Sequence, residues 1–147
     1  MRFLIQRVKR ASVHIEGKLA ASIGEGILAL VGIAAADKTE DADYLAGKLV
    51  NLRIFPDPEG RMNRSALDVN AELLLVSQFT LYGDCRKGRR PSFDAAAPPE
   101  AARDLYEYVV RAVAGKGLVT RSGVFQAHMD VELINTGPVT FLLESQG

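Results

Sequence analysis

Three short runs in this 147-residue sequence carry the side chains that could do chemistry. The first is Ser77-Gln78-Phe79-Thr80, which follows the apolar run Leu73 to Val76. A buried strand that ends in Ser, Gln and Thr presents hydroxyls, an amide and backbone N–H groups at a sheet edge or mouth. Such side chains commonly cap backbone groups at strand ends. Equally, exposed N–H donors beside Gln and Thr can hold a developing oxyanion. The second run is Asn135-Thr136-Gly137-Pro138-Val139-Thr140. Proline cannot donate to a ladder, so Pro138 between two strand-like segments reads as a hairpin turn. The Gly137–Pro138 bond is also a place where a cis peptide can occur, which would make a rigid elbow. The third is Arg86-Lys87-Gly88-Arg89-Arg90, four cations in five residues. It reads either as a solvated loop or as a phosphate-binding one.

Other chemistries lack their residues. The two histidines, His14 and His128, both fall on the polar face of predicted strands, whereas a Ser-His-Asp triad needs a base near its nucleophile. There is no HExxH, no CxxC and no spacing of acids that suits a metal. P-loop and GxGxxG patterns are absent as well, which argues against nucleotide cofactors. The one cysteine, Cys85, has no histidine nearby in sequence to activate it and cannot form a disulfide within one chain. It reads as an incidental thiol in a reducing cytoplasm. Lys plus Arg balance Asp plus Glu, 18 against 18, so any contact with nucleic acid must come from a local basic patch. The longest apolar run, Ile27 to Ala36, is half the roughly twenty residues of a membrane helix, and Met1 to Val8 already alternate like a strand and show no charged-then-apolar leader pattern. The expectation is a cytoplasmic protein without membrane contact.

The elements that must position these runs follow from periodicity. Phe3, Ile5 and Val8 open a strand, and Val13 and Ile15 alternate in the next. Glu16-Gly17-Lys18 turns into Leu19 to Ile23. Ile27 to Ile33 is apolar throughout, as in a central strand buried on both faces. Behind Thr39, a possible cap, Ala42, Leu45, Ala46 and Leu49 fall at helical spacing. Leu52 to Phe55 reads as a short strand and Pro56 to Gly60 as a strong turn. Pro98-Pro99-Glu100 starts a second helix with Ala102, Leu105, Val109 and Ala112 on one face. Met129, Val131 and Leu133 alternate in a late strand that Asn135 to Pro138 should break, before Val139 to Leu143 forms the last one. Hydrophobic residues at 48% and a length suited to one core predict a single domain over residues 1–147. Its class is α+β: a mostly antiparallel, barrel-like sheet with two helices packed outside.

Five segments, in order, resemble the D-aminoacyl-tRNA deacylase family. They are the opening strands with Ile5-Gln6-Arg7-Val8 and Ala11-Ser12-Val13, then Arg53-Ile54-Phe55 with Gly60-Arg61-Met62-Asn63, then Ser77-Gln78-Phe79-Thr80-Leu81, Arg90-Pro91-Ser92-Phe93, and Asn135 to Thr140. The resemblance implies hydrolysis of the ester joining a D-amino acid to the terminal adenosine of tRNA, and action on misattached glycine. It implies no metal and no organic cofactor. It further implies a homodimer with each active site at the subunit interface, the Gly137–Pro138 elbow of one subunit reaching into the pocket of the other. The site residues it singles out are Ser77, Gln78, Phe79 and Thr80, with Gly137 and Pro138 guarding chirality. Phosphate contacts to tRNA fall to Arg86, Lys87, Arg89 and Arg90. Whether the Thr80 hydroxyl attacks, or backbone donors work on a positioned water with help from the tRNA 2′-hydroxyl, stays open at the level of sequence. So do two readings from other classes: a non-catalytic RNA-binding protein, and a hydrolase of small D-amino acid esters or peptides.

Overall fold

A computed structural model describes residues 1–145. Its centre is a strongly curved six-stranded sheet in the order β2-β1-β3-β6-β7, with β8 on the other side of β1. Strand β1 (Arg2–Ile15) is one continuous run where two were expected, because it serves three neighbours. Its first half pairs with β3 (Gly26–Gly32), its second half with β2 (Lys18–Ile23), and β8 (Asp130–Glu144) lies along its whole length, all antiparallel. The β1–β2 hairpin turns on Glu16 and Gly17, whose φ values of 51° and 76° are those of a primed two-residue turn. Strand β6 (Glu72–Ser77) joins β3 in parallel, and β7 (Thr120–Ser122) joins β6 in parallel. The sheet is therefore mixed, with antiparallel pairs in the majority.

Both faces of the central strands are covered, which explains the unbroken apolar runs. Ile27, Ala29 and Val31 of β3 and Leu73 and Leu75 of β6 face one core layer with the helices. Leu28, Leu74 and Val76 face a second layer inside the curl. In β1, Phe3 and Ile5 belong to the first layer and Val8, Ala11 and Val13 to the second. That exchange of parity coincides with register shifts against β8 between Gln6 and Arg10, since an inserted residue sends the following side chains to the opposite face.

Helix α1 (Thr39–Asn51) buries the expected Ala42, Leu45, Ala46 and Leu49. Its N-cap is Lys38 rather than Thr39, and Asp41 accepts the Lys38 N–H at 2.8 Å. The backbone after Leu52 does not form the expected strand; only Phe55–Pro56 (β4) pairs, with Met62–Arg64 (β5), around the turn that Asp57 organises. A single-turn helix, α2 (Ala66–Val69), precedes β6. Helix α3 (Pro99–Ala114) begins at the paired prolines as expected, but its fully buried positions are Ala102, Tyr106, Val109 and Val113. The face is rotated by about one residue from the expected stripe, because the Tyr106 hydroxyl is drawn inward to donate to the Leu75 carbonyl at 2.9 Å. No helix among the described residues is long and apolar enough to cross a membrane.

Asn135 to Pro138 does not break β8. The strand continues through it, and the Gly137–Pro138 bond is cis. Asn135 supplies what proline withholds: its amide donates to the carbonyls of Arg7 at 3.1 Å and Val139 at 3.0 Å, replacing ladder bonds across the irregularity.

Candidate active site

Ser77 closes β6, and the backbone then leaves the sheet. Gln78 N–H donates to the Val31 carbonyl at 2.8 Å as the last tie to β3, and Phe79–Tyr82 form a 3-10 turn. This turn lies directly on the end of β3 because residue 32 is glycine; a Cβ there would stand 2.9 Å from Leu81 Cβ. Within the turn Leu81 N–H donates to Gln78 and Gly83 N–H to Thr80. The first N–H groups of any helical turn have no partner inside it. Among the described residues no hydrogen bond joins the Phe79 or Thr80 N–H to a group outside the turn either. Two adjacent backbone donors are thus left open where polar side chains meet the solvent.

Phe79 lines a cavity of about 780 Å³ together with Ser77, Gln78, Phe93, Phe125 and His128, whereas Thr80, the next residue, is not part of that lining. The volume suits a small organic ligand or the end of a larger one. One rim carries an aromatic pair: Phe93 meets Phe79 edge-on at 5.0 Å. The opposite wall is the segment that precedes β8. Gln126 adopts a left-handed φ of 64° there, and Arg103 of α3 fixes it, donating to its side-chain oxygen at 2.9 Å while lying over the Phe125 ring. His128, expected on a strand face, lies instead in this wall before β8 begins. The sequence alone does not reveal the wall or the Ala96 to Pro99 connection: His128 reads as a residue on a polar strand face, and the rest of these segments carries no residue type that announces chemistry. Met129, expected on a strand, lies in the wall just before β8, where a Cβ on Gly123 would stand 2.7 Å from its sulfur.

The Gln78 side-chain amide donates to Thr80 Oγ1. The recorded side-chain neighbour of the Thr80 hydroxyl is therefore an amide and not a carboxylate or imidazole that would activate it. Among the described residues no three His, Cys, Asp or Glu side chains group as metal ligands.

The basic run sits on a loop closed by paired bonds between Asp84 and Ser92, next to the Phe79–Phe93 rim. Arg86 folds back, its guanidinium donating to both Asp84 carboxylate oxygens at 2.9 and 2.7 Å. Those side-chain bonds, with the Arg86 N–H, hold the Asp84 carboxyl down at about 2. Arg86 is thus partly neutralised, while Lys87, Arg89 and Arg90 are exposed. Cys85 is exposed and free.

Gly137 and Pro138 are not brought to this cavity; neither lines it. They lie exposed on β8, the elbow tethered from inside by Arg7, which donates to the carbonyls of Ile54 at 2.6 Å and Thr136 at 3.3 Å. Ser77, Gln78, Phe79 and Thr80 are assembled within one chain, and the elbow is a separate outward projection.

The molecule is therefore a small α+β, barrel-like protein whose cavity is lined by Ser77, Gln78, Phe79 and His128, with the open Thr80 N–H next to Phe79 in the turn beside it. Residues 4–144 match the sequence family described as D-Tyr-tRNA(Tyr) deacylase. The D-aminoacyl-tRNA deacylase of Thermosipho africanus is 56% identical over 146 residues, covering 99% of this chain and 98% of that protein. That of Koribacter versatilis is equally similar, with the same coverage. A solved structure titled c-Myc DNA Unwinding Element Binding Protein superposes with a TM-score of 0.95 at 37% identity, each chain covered completely. A structure titled as a probable eukaryotic D-amino acid tRNA deacylase shares the fold, at TM-score 0.84 and 18% identity. The chain belongs to the D-Tyr-tRNA(Tyr) deacylase family.

Proposed function

We propose that this chain hydrolyses the ester of D-aminoacyl-tRNA, and of misattached glycyl-tRNA, with the Phe79 and Thr80 N–H groups holding the oxyanion. The observation that carries the reading is that pair of open donors on one turn, with Phe79 lining a cavity of about 780 Å³ and Thr80 next to it. An aminoacyl ester is already activated, so a placed water and a stabilised oxyanion account for the acceleration. The water attacks the carbonyl carbon, negative charge gathers on the carbonyl oxygen between the two N–H groups, and the carbon–oxygen bond to ribose breaks as the proton given up by the water passes to the departing ribose oxygen, leaving a ribose hydroxyl and the free amino acid. The tRNA 2′-hydroxyl beside the ester orients the water. Gln78 and Ser77 shape the pocket, and Thr80 contributes its backbone.

Selectivity is assigned to Gly137–Pro138. The elbow of a chain does not line that chain's own cavity, so it acts in a homodimer by entering the partner's site. The exposed apolar side chains Ile134, Phe141 and Leu142 on the same strand support a covered face there. Glycine brings bare backbone close to the substrate α-carbon, leaving room for hydrogen but not for an L side chain. Lys87, Arg89 and Arg90, with Arg86, supply phosphate contacts. The protein works in the cytoplasm, where charged tRNA resides, and without a metal.

Deacylation of D-aminoacyl-, glycyl- and L-aminoacyl-tRNA, beside free D-amino acid esters, tests the reading. D- and glycyl-tRNA should be hydrolysed and L-aminoacyl-tRNA spared, with chelators present. Thr80→Ala should keep activity within about tenfold; an acyl group trapped on Thr80 would overturn the assignment. Preference for free esters over charged tRNA would move the protein to a different hydrolase class.

A further inference from the structure

The 3-10 turn that carries the open donors has anchors at both ends, and they differ in kind. At its start, Gln78 N–H is tied to the Val31 carbonyl, backbone to backbone. At its far end the tie is a side chain. Arg2 Nη1 donates to the Leu81 carbonyl at 2.9 Å, and the guanidinium lies over the Tyr82 ring at 4.6 Å. Its remaining face is held by Glu144, whose Oε1 lies 3.0 Å from Arg2 Nε. Arg2 can make this reach because β1 places it opposite Gly32 on one side and Glu144 on the other. Gly32 leaves the space in which Leu81 settles. The last carbonyls of a helical turn lack partners inside it, so a rigid cation there answers a real vacancy, and a planar guanidinium can bond, stack and ion-pair at once.

We propose that Arg2 is a positioning residue of the deacylase site: it fixes the angle of the Phe79–Tyr82 turn and thereby the aim of the Phe79 and Thr80 N–H groups. It touches neither substrate nor cavity. Without it the turn pivots about the Gln78 tie, and the donors, on the swinging segment, lose alignment with the carbonyl oxygen. An aim error approaching 1 Å costs on the order of a hundredfold in rate, so a partial pivot costs about tenfold or more. The inference rests on the oxyanion reading given above.

The test uses the full-length protein and two readouts. In single-turnover deacylation of D-aminoacyl-tRNA, Arg2→Ala should lower the rate about tenfold or more with KM changed less than about threefold. Arg2→Lys should recover only part, since an ammonium cannot hold the Leu81 carbonyl, the Tyr82 face and Glu144 together. Glu144→Gln should show a smaller loss, and its effect should vanish in the Arg2→Ala background. The second readout is the amide resonances of Phe79 and Thr80 on adding a D-aminoacyl adenosine with an amide in place of the ester. Both should shift in the unmodified protein, and the shifts should shrink in Arg2→Ala. Full catalytic rate in Arg2→Ala, or a rate loss that Arg2→Lys and Arg2→Ala share in proportion to their thermal destabilisation, overturns the positioning role. An unmodified protein that deacylates while neither amide responds removes the oxyanion reading itself, and the inference with it.

Discussion

Replacing Gly32 by Ala tests, with one added atom, the seat of the turn proposed to hold the oxyanion. An added Cβ would stand 2.9 Å from Leu81 Cβ, 3.3 Å from Leu81 Cδ1 and 3.3 Å from the Gln78 carbonyl oxygen. Carbon atoms rest comfortably at about 3.5–4.0 Å, so the turn must retreat by about 0.6–1 Å. It cannot be absorbed by one flexible side chain, because one of the three atoms is backbone and another is a Cβ. Overpacking of this kind costs about 1–3 kcal/mol of stability, or roughly 3–10 °C in Tm for a domain of this size. The larger effect is on rate, since Phe79 and Thr80 ride on the displaced segment and a misplacement near 1 Å costs about a hundredfold. Single-turnover deacylation of D-aminoacyl-tRNA well below the melting range should fall about 10- to 100-fold for Gly32→Ala, with the fold intact by circular dichroism. Gly47→Ala is the control, because a Cβ there meets nothing within 4 Å. A Gly32→Ala protein with the full rate would refute the claim that turn position limits catalysis.

Gly137→Ala should leave Tm within a few degrees, since its Cβ would press only on the Asn135 side chain, at 2.9 Å from Oδ1, yet it should lower turnover of D-aminoacyl-tRNA more than tenfold. Full activity would show that the elbow does not approach the substrate. In the basic loop, Lys87, Arg89 and Arg90 should each lower the log–log salt slope of tRNA binding by up to about one unit when changed to Ala, and Arg86→Ala by less, because Asp84 already holds it. Equal slopes for all four variants would contradict that ranking. Burial pushes the Tyr106 hydroxyl up to about 12, so the neutral phenol is what the fold favours. Its contribution is complete below the ordinary tyrosine value near 10 and is lost as pH rises from there through about 12. Denaturant melts should show stability falling in that window, and Tyr106→Phe should fall less steeply after an initial loss of about 1 kcal/mol for the missing hydrogen bond. The Leu75 carbonyl keeps a second donor, Gly123 N–H, which limits the loss.

Local pattern settled much of this protein. The two main helices, the primed turn at Glu16-Gly17 and the doubly buried β3 follow from spacing and turn chemistry, because those signals involve neighbours only a few residues apart. The segment Ser77 to Thr80 was legible as a polar strand end for the same reason. Tertiary structure decided what that strand end does. The 3-10 turn is seated where Gly32, some fifty residues earlier, leaves room for Leu81, and Arg2 bonds the Leu81 carbonyl at its far end. Nothing near Phe79 in sequence announces either fact. The cavity's second wall, Phe125 to Met129, is likewise ordinary by composition and is shaped by Arg103 on another element. Asn135 to Pro138 reads as a break because proline removes a ladder donor, and the Asn135 amide bridges it with a cross-strand bond to Arg7 and a bond within β8 to Val139. Residue types and short spacings determine which groups are present and which elements form. Their aim at one point in space depends on contacts between residues far apart in the chain, and those contacts exist only once the sheet has closed around its core.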